Sequence, residues 1–170
     1  MLLQLLVYGI IAVMKWKIPP IIKIYEAFGA IADGRVKIDG NKAIVKSSSG
    51  NKDYSVVFDS DKNAISANDN GSYWQGYLGY PSIAYLIETS VIKCKLDIVN
   101  VFMGIAWKDV NTTLKNDYEK VIDSVFTKIS SECGTEMVAN AKHEAELVLS
   151  QIKSLELNKI KTGIKPPKAC

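Results

Sequence analysis

Three turn signals packed between residues 34 and 61 constrain this chain most. Asp39-Gly40, Ser49-Gly50-Asn51 and Asp59-Ser60-Asp61 each carry residues that accept tight-turn dihedrals. Strands joined by such turns run antiparallel. Val36 and Ile38 alternate with charged residues, and Tyr54, Val56 and Phe58 fall on one face, which is the period of two expected of half-buried strands. The segment predicts an antiparallel meander of three strands, with Ala64-Ile65-Ser66 as a short fourth.

Helical spacing flanks the meander. Pro19-Pro20 suits a helix entrance, and Ile21, Ile24, Phe28 and Ile31 predict a helix over residues 20–32 that Gly34 ends. Pro81 opens a second helix, with Ile83, Ala84, Leu86 and Ile87 on its apolar face, ending near Ser90. Residues 96–104 are apolar and fit either a short helix or a strand, with the helical surroundings favouring a helix. From Asp109 the spacing of Val110, Leu114, Tyr118, Val121, Val125 and Ile129 predicts one amphipathic helix, capped by Asp109 or Asn111 and closed by Gly134. A last helix over residues 135–157 buries Val138, Ala141, Ala145, Val148, Ile152 and Leu155, giving two antiparallel helices. On its outer side Lys142, His143, Glu144 and Glu146 read as a solvated face. The tail from Lys159 to Cys170 holds Gly163, Pro166, Pro167 and several lysines, and is expected to be mobile.

The fold class expected is α+β: a small antiparallel sheet of three to four strands flanked by helices, with a helical C-terminal hairpin. The organisation expected is an apolar N-terminal segment (residues 1–14), an α+β module (15–92), a helical region (93–158) and a basic tail (159–170). The 170 residues suit one ordinary domain, and 48% hydrophobic with 23% charged residues supplies a core.

A net charge of +3 is too mild to imply nucleic acid. Residues 15–52 nevertheless hold eight basic side chains against Glu26, Asp33 and Asp39. Cys94, Cys133 and Cys170 form no Cys-x-x-Cys pattern and there is one histidine, so neither a disulfide framework nor a local zinc site is expected, and the setting reads as cytoplasmic. The uncharged run from Met1 to Met14 is shorter than the roughly 20 residues a span needs. It also lacks the leading positive charge of a signal peptide. The alternatives for it are a start at Met14, a packed extra element, or a membrane-peripheral contact.

Between residues 34 and 87 the order of elements carries a resemblance. A helix runs into Asp33-Gly34-Arg35-Val36-Lys37-Ile38, then come the two hairpin turns, Asp53-Tyr54-Ser55-Val56-Val57-Phe58, a polar loop, and Gly79-Tyr80-Pro81-Ser82-Ile83-Ala84 opening an apolar helix. This resembles a SWIM-type zinc finger that lacks its zinc ligands. In that family a Cys-x-Cys pair precedes the loop and a Cys-x-His pair opens the helix. Here the first pair falls among Ser66, Ala67, Asn68 and Asp69, and the second on Gly79 and Pro81. Hydroxyl and amide groups replace thiolate and imidazole poorly in a tetrahedral zinc site, so no metal and no cofactor is expected. The same stretch is similar to small uncharacterised archaeal proteins.

The resemblance implies a noncatalytic adaptor, because SWIM domains are associated with protein and DNA interactions, including accessory factors of homologous recombination. Tyr73, Trp74, Tyr77 and Tyr80 crowd the loop where the family holds its metal. They are candidate contacts for a protein partner, or else they fill the volume of the missing ion. Arg35, Lys37 and Lys46 are the candidate phosphate contacts if DNA is bound; as ordinary strand lysines they would simply face solvent. The alternative class is an enzyme with a dispersed active site. It would need a deep polar pocket with perturbed carboxylates, since no nucleophile motif or phosphate-binding glycine loop is present.

Overall fold

The meander forms as expected, and a fifth strand joins it. The computed structural model describes residues 13–160 and 163–168, so the expectations for residues 1–12 lie outside the described residues. Strands β1 (Val36–Asp39), β2 (Lys42–Lys46), β3 (Asp53–Asp59) and β4 (Ala64–Ala67) pair antiparallel in chain order. The register sets Val36 opposite Val45, Val45 opposite Tyr54, and Val56 opposite Ala67. Alternation does the rest: Ala43 and Val45 turn inward, and Lys42, Ile44 and Lys46 face water.

Strand β5 (Asn158–Lys159) runs parallel to β4, which is a correction to the expected three to four strands and to the mobile tail. Its partner strand β4 is buried at every position and has no alternation to advertise a free edge. The chain at residues 14–17 closes this side. Trp16 N–H donates to Leu157 O, Lys159 N–H to Met14 O, and the Trp16 indole to Ile65 O. Farther along the tail, Asn68 Nδ2 reaches Lys165 O.

Helix α1 (Ile22–Ala32) is the axis of the core. It is buried at Ile22, Ile24, Tyr25, Ala27, Phe28 and Ala30. A helix apolar on nearly all sides belongs between other elements. Here α2 (Tyr80–Glu88) lies along it, and α3 (Leu96–Val99), the following 3-10 turn (Asn100–Phe102) and α6 (Thr135–Leu155) cover the rest. Gly29 permits the closest approach: a Cβ there would collide with the indole Nε1 of Trp107, from α4 (Trp107–Thr113). Tyr25, Phe102 and Phe126 fill the centre, with Tyr25 stacked on Phe102 at 5.5 Å and edge-on to Phe126 at 5.0 Å. One continuous cluster runs from Ile22 through the sheet to Leu157, so the α+β half and the helical half share a core.

The single helix expected from Asp109 is two. Helix α4 ends at Thr113 and α5 (Tyr118–Cys133) begins after Lys115 and Asn116, both left-handed with φ of 53° and 57°. Two consecutive left-handed residues cannot continue an α-helix. Asp117, rather than Asp109 or Asn111, caps α5 by accepting from Lys120 N–H. Gly134 then turns the chain into α6, completing the antiparallel hairpin. On α6 His143 is exposed as expected, but Glu144 is buried and accepts from Lys95 N–H at 2.9 Å. Among the described residues no helix is long and apolar enough to cross a membrane.

Candidate functional site

The loop between β4 and α2 brings its two ends together. Asp69, just past β4, is buried and accepts from Ser72 twice: backbone N–H to Oδ2 at 3.0 Å and hydroxyl to Oδ1 at 2.6 Å. The same Ser72 oxygen accepts Gly79 N–H at 3.1 Å, at the N-terminal boundary of α2. Positions 69 and 79 are therefore bridged by one hydroxyl. Burial is the largest influence on the Asp69 carboxyl and pushes its pKa up, while the Ser72 hydrogen bonds and Lys23 pull the other way. Between these ends, residues Gly71–Gln75 make one π-helical turn that Gly76 closes in a left-handed conformation.

The four loop aromatics separate. Trp74 is 66% exposed, and Tyr73 meets it edge-on at 4.6 Å, so these two form a surface pair. Tyr77 lies against the backbone of Gly71, beside Tyr118. Tyr80 turns inward, edge-on to Tyr54 at 6.0 Å, and burial pushes its hydroxyl well above the usual phenol range.

The three cations separate as well. Lys37 and Lys46 lie on the outer face of the sheet, where Lys46 pairs with Asp53 at 3.0 Å. Arg35 leaves that face: its Nε pairs with Asp33 at 3.1 Å and its Nη1 donates to Lys46 O at 2.8 Å.

Arg35 and Tyr80 meet at a cleft of about 160 Å³ that α1, the β2–β3 turn, the β4–α2 loop and α4 enclose. At its inner wall Glu26 is buried, with Oε2 on Lys23 Nζ at 2.8 Å and Oε1 on Asn111 Nδ2 at 3.0 Å. Burial alone would lower the Lys23 pKa; the Glu26 charge and hydrogen bond overcome that and leave it raised. The Oδ1 of Asn111 is buried and has no hydrogen-bond partner, and neither has the Trp107 indole N–H. Tyr54 completes the wall, its hydroxyl pushed up to about 12 by burial. Ser47, Ser48 and Lys108 also line the cleft. His143 is not among the lining residues, so neither serine has an imidazole base there. No group of three or more His, Cys, Asp or Glu side chains among the described residues is placed to hold a metal ion.

Sequence reasoning did not single out Lys23, Glu26, Trp107 and Asn111 as site residues. One signal was present, since Glu26 sits inside the apolar run Ile24-Tyr25-Glu26-Ala27-Phe28, where an acid must find partners or stay out of the core.

These features define an α+β protein with a meander sheet, one core around α1, and a small polar cleft at the end of the sheet. The chain belongs to the family described as Uncharacterised conserved protein UCP014422, whose model matches residues 16–158. No curated protein and no solved structure matches the chain. The matched span begins at Trp16 and ends at Asn158, the residues that close the sheet on its β4 side.

Proposed function

We propose that this chain is a noncatalytic interaction module, resembling a SWIM domain without zinc, that binds a protein partner through the loop between β4 and α2. The observation that carries the reading is the Asp69, Ser72 and Gly79 bridge. It joins the positions where the resemblance places the two ligand pairs, using hydrogen bonds in place of an ion. A loop closed at its base holds its tip in a defined geometry, and that tip displays Trp74 with Tyr73 beside it. An exposed Trp braced by a second ring is a common anchor at protein interfaces, because rigid rings lose little entropy on binding. In this reading Tyr77 and Tyr80 support the loop from below, and Trp74 and Tyr73 make the contact.

Affinity purification of the intact chain from its native cell extract, beside Trp74→Ala, tests this. Loss of a copurifying protein in the variant, with the circular dichroism spectrum unchanged, is the expected result. An unchanged set of copurifying proteins removes the proposed contact. Metal analysis of the same preparation should return no stoichiometric zinc.

A further inference from the structure

The cleft at the end of the sheet is lined by the carboxylates of Glu26 and Asp69 together with Lys23, Arg35 and Lys108, a mixture of both charges that the interaction reading does not use. Glu26 and Asp69 each have both oxygens hydrogen-bonded within the protein, whereas Asn111 Oδ1, beside Glu26, is a buried acceptor with nothing to accept from. An unsatisfied buried acceptor is costly, and an incoming N–H donor would relieve that cost. Arg35 uses two of its five N–H donors, on Asp33 and Lys46 O, and Lys108 is exposed. An anion alone would meet Glu26 and Asp69, and a cation alone would meet Arg35, Lys108 and Lys23.

A volume of about 160 Å³ is well below the roughly 300–1,000 Å³ of drug-sized sites and corresponds to roughly five waters. We propose that this cleft binds a small zwitterion of the size of a free α-amino acid, its ammonium group toward Glu26 and Asn111 Oδ1 and its carboxylate toward Arg35 and Lys108. Tyr80, against the same wall, excludes water from the ammonium end. The cleft borders the same loop, but Trp74 and Tyr73 do not line it and the two tests use different variants, so either proposal can fail alone.

The test is a titration of the isotopically labelled full chain by NMR with L-alanine, and separately with ethylamine and with propionate, which are alanine without its carboxylate and without its amine. Alanine should move the Trp107 indole and the Ser48 and Lys108 amide signals at concentrations roughly tenfold or more below either half-molecule, because each lost charged hydrogen bond is worth about 1.5–3 kcal/mol. Lys108→Ala, a surface change, should weaken alanine binding several-fold and leave ethylamine unaffected. The proposal is overturned if alanine moves none of these signals at millimolar concentration, or if ethylamine or propionate binds as well as alanine. It is equally overturned if Lys108→Ala leaves alanine affinity unchanged.

Discussion

Gly79 and Asp69 stand so close that no side chain fits at position 79: a Cβ built there would lie 2.5 Å from both Cγ and Oδ1 of the buried Asp69 carboxylate. The Gly79 backbone is extended (φ −74°, ψ 163°), a conformation open to any residue, so the restriction is steric. Its neighbour Asp69 is itself held by two hydrogen bonds to Ser72, which any retreat would strain.

Gly79→Ala should therefore destabilise the fold by about 1–3 kcal/mol, the usual range for forcing an atom into a packed site. The cost should shrink in an Asp69→Ala background, because the atoms that collide are gone. Urea unfolding of the two single variants and the double variant measures the coupling. Strictly additive values would show that the contact is not the cause.

Asp69 also gives the stability a pH dependence. Its native pKa is raised, with burial the chief reason, above the ordinary carboxyl value of 3.8 that it takes when unfolded. As pH rises from 3.8 through the raised value, the native state holds a proton that the unfolded chain has released, so this residue's contribution to stability falls across that window and is level above it. Asp69→Asn keeps a side chain of the same shape and removes the titration. Relative to the parent, the variant should gain stability as pH rises from below 3.8 toward neutrality. A stability difference that is flat over this range contradicts the assignment.

Removing one partner of the Lys23 and Glu26 pair should cost more than removing both. Their side chains are 14% and 6% exposed, so Glu26→Ala leaves a nearly buried ammonium without its partner, a change worth about 3–5 kcal/mol. Lys23→Met combined with Glu26→Leu should recover a substantial part of that loss. Chemical denaturation of the three variants decides it, and a double variant no better than Glu26→Ala would argue against the pair.

Two described thiols should react at very different rates. Burial, with Glu144 second, pushes the Cys94 pKa up to about 12, while Cys133 at the end of α5 is exposed. Because the thiolate is the reactive form, mild labelling near neutral pH should modify Cys133 first and reach Cys94 only on unfolding. Peptide mass analysis locates the label. Glu144→Gln should speed Cys94 labelling; equal rates at both sites in the parent would remove the argument.

The meander and the helical hairpin were legible because short-range signals decide them. Asp39-Gly40 makes the β1–β2 turn, the period of two in β2 and β3 turns Val45 and Val56 inward, and Gly134 breaks α5 from α6. Strand β5 was not legible, because a two-residue strand at Asn158–Lys159 has no period of its own and exists only where β4 offers a free edge. The break between α4 and α5 was masked for the opposite reason: the apolar spacing of Val110, Leu114, Tyr118 and Val121 continues across it.

Read alone, the chain determined which stretches become strands or helices, since backbone dihedral preference and apolar period act over a few neighbouring residues. It likewise determined that residues 65–87 carry no thiolate or imidazole for a metal. Only the tertiary structure decided which polar groups share a wall. Glu26, Asp69 and Asn111 come from α1, the loop after β4, and α4, and they line one cleft because the core around α1 brings those elements to the same end of the sheet. Lys23 is a helix neighbour of Glu26, but burial and the remaining pairing depend on residues distant in sequence, so no local pattern records that Glu26 must also hold Asn111, or that Tyr80 faces inward while Trp74 stays in water.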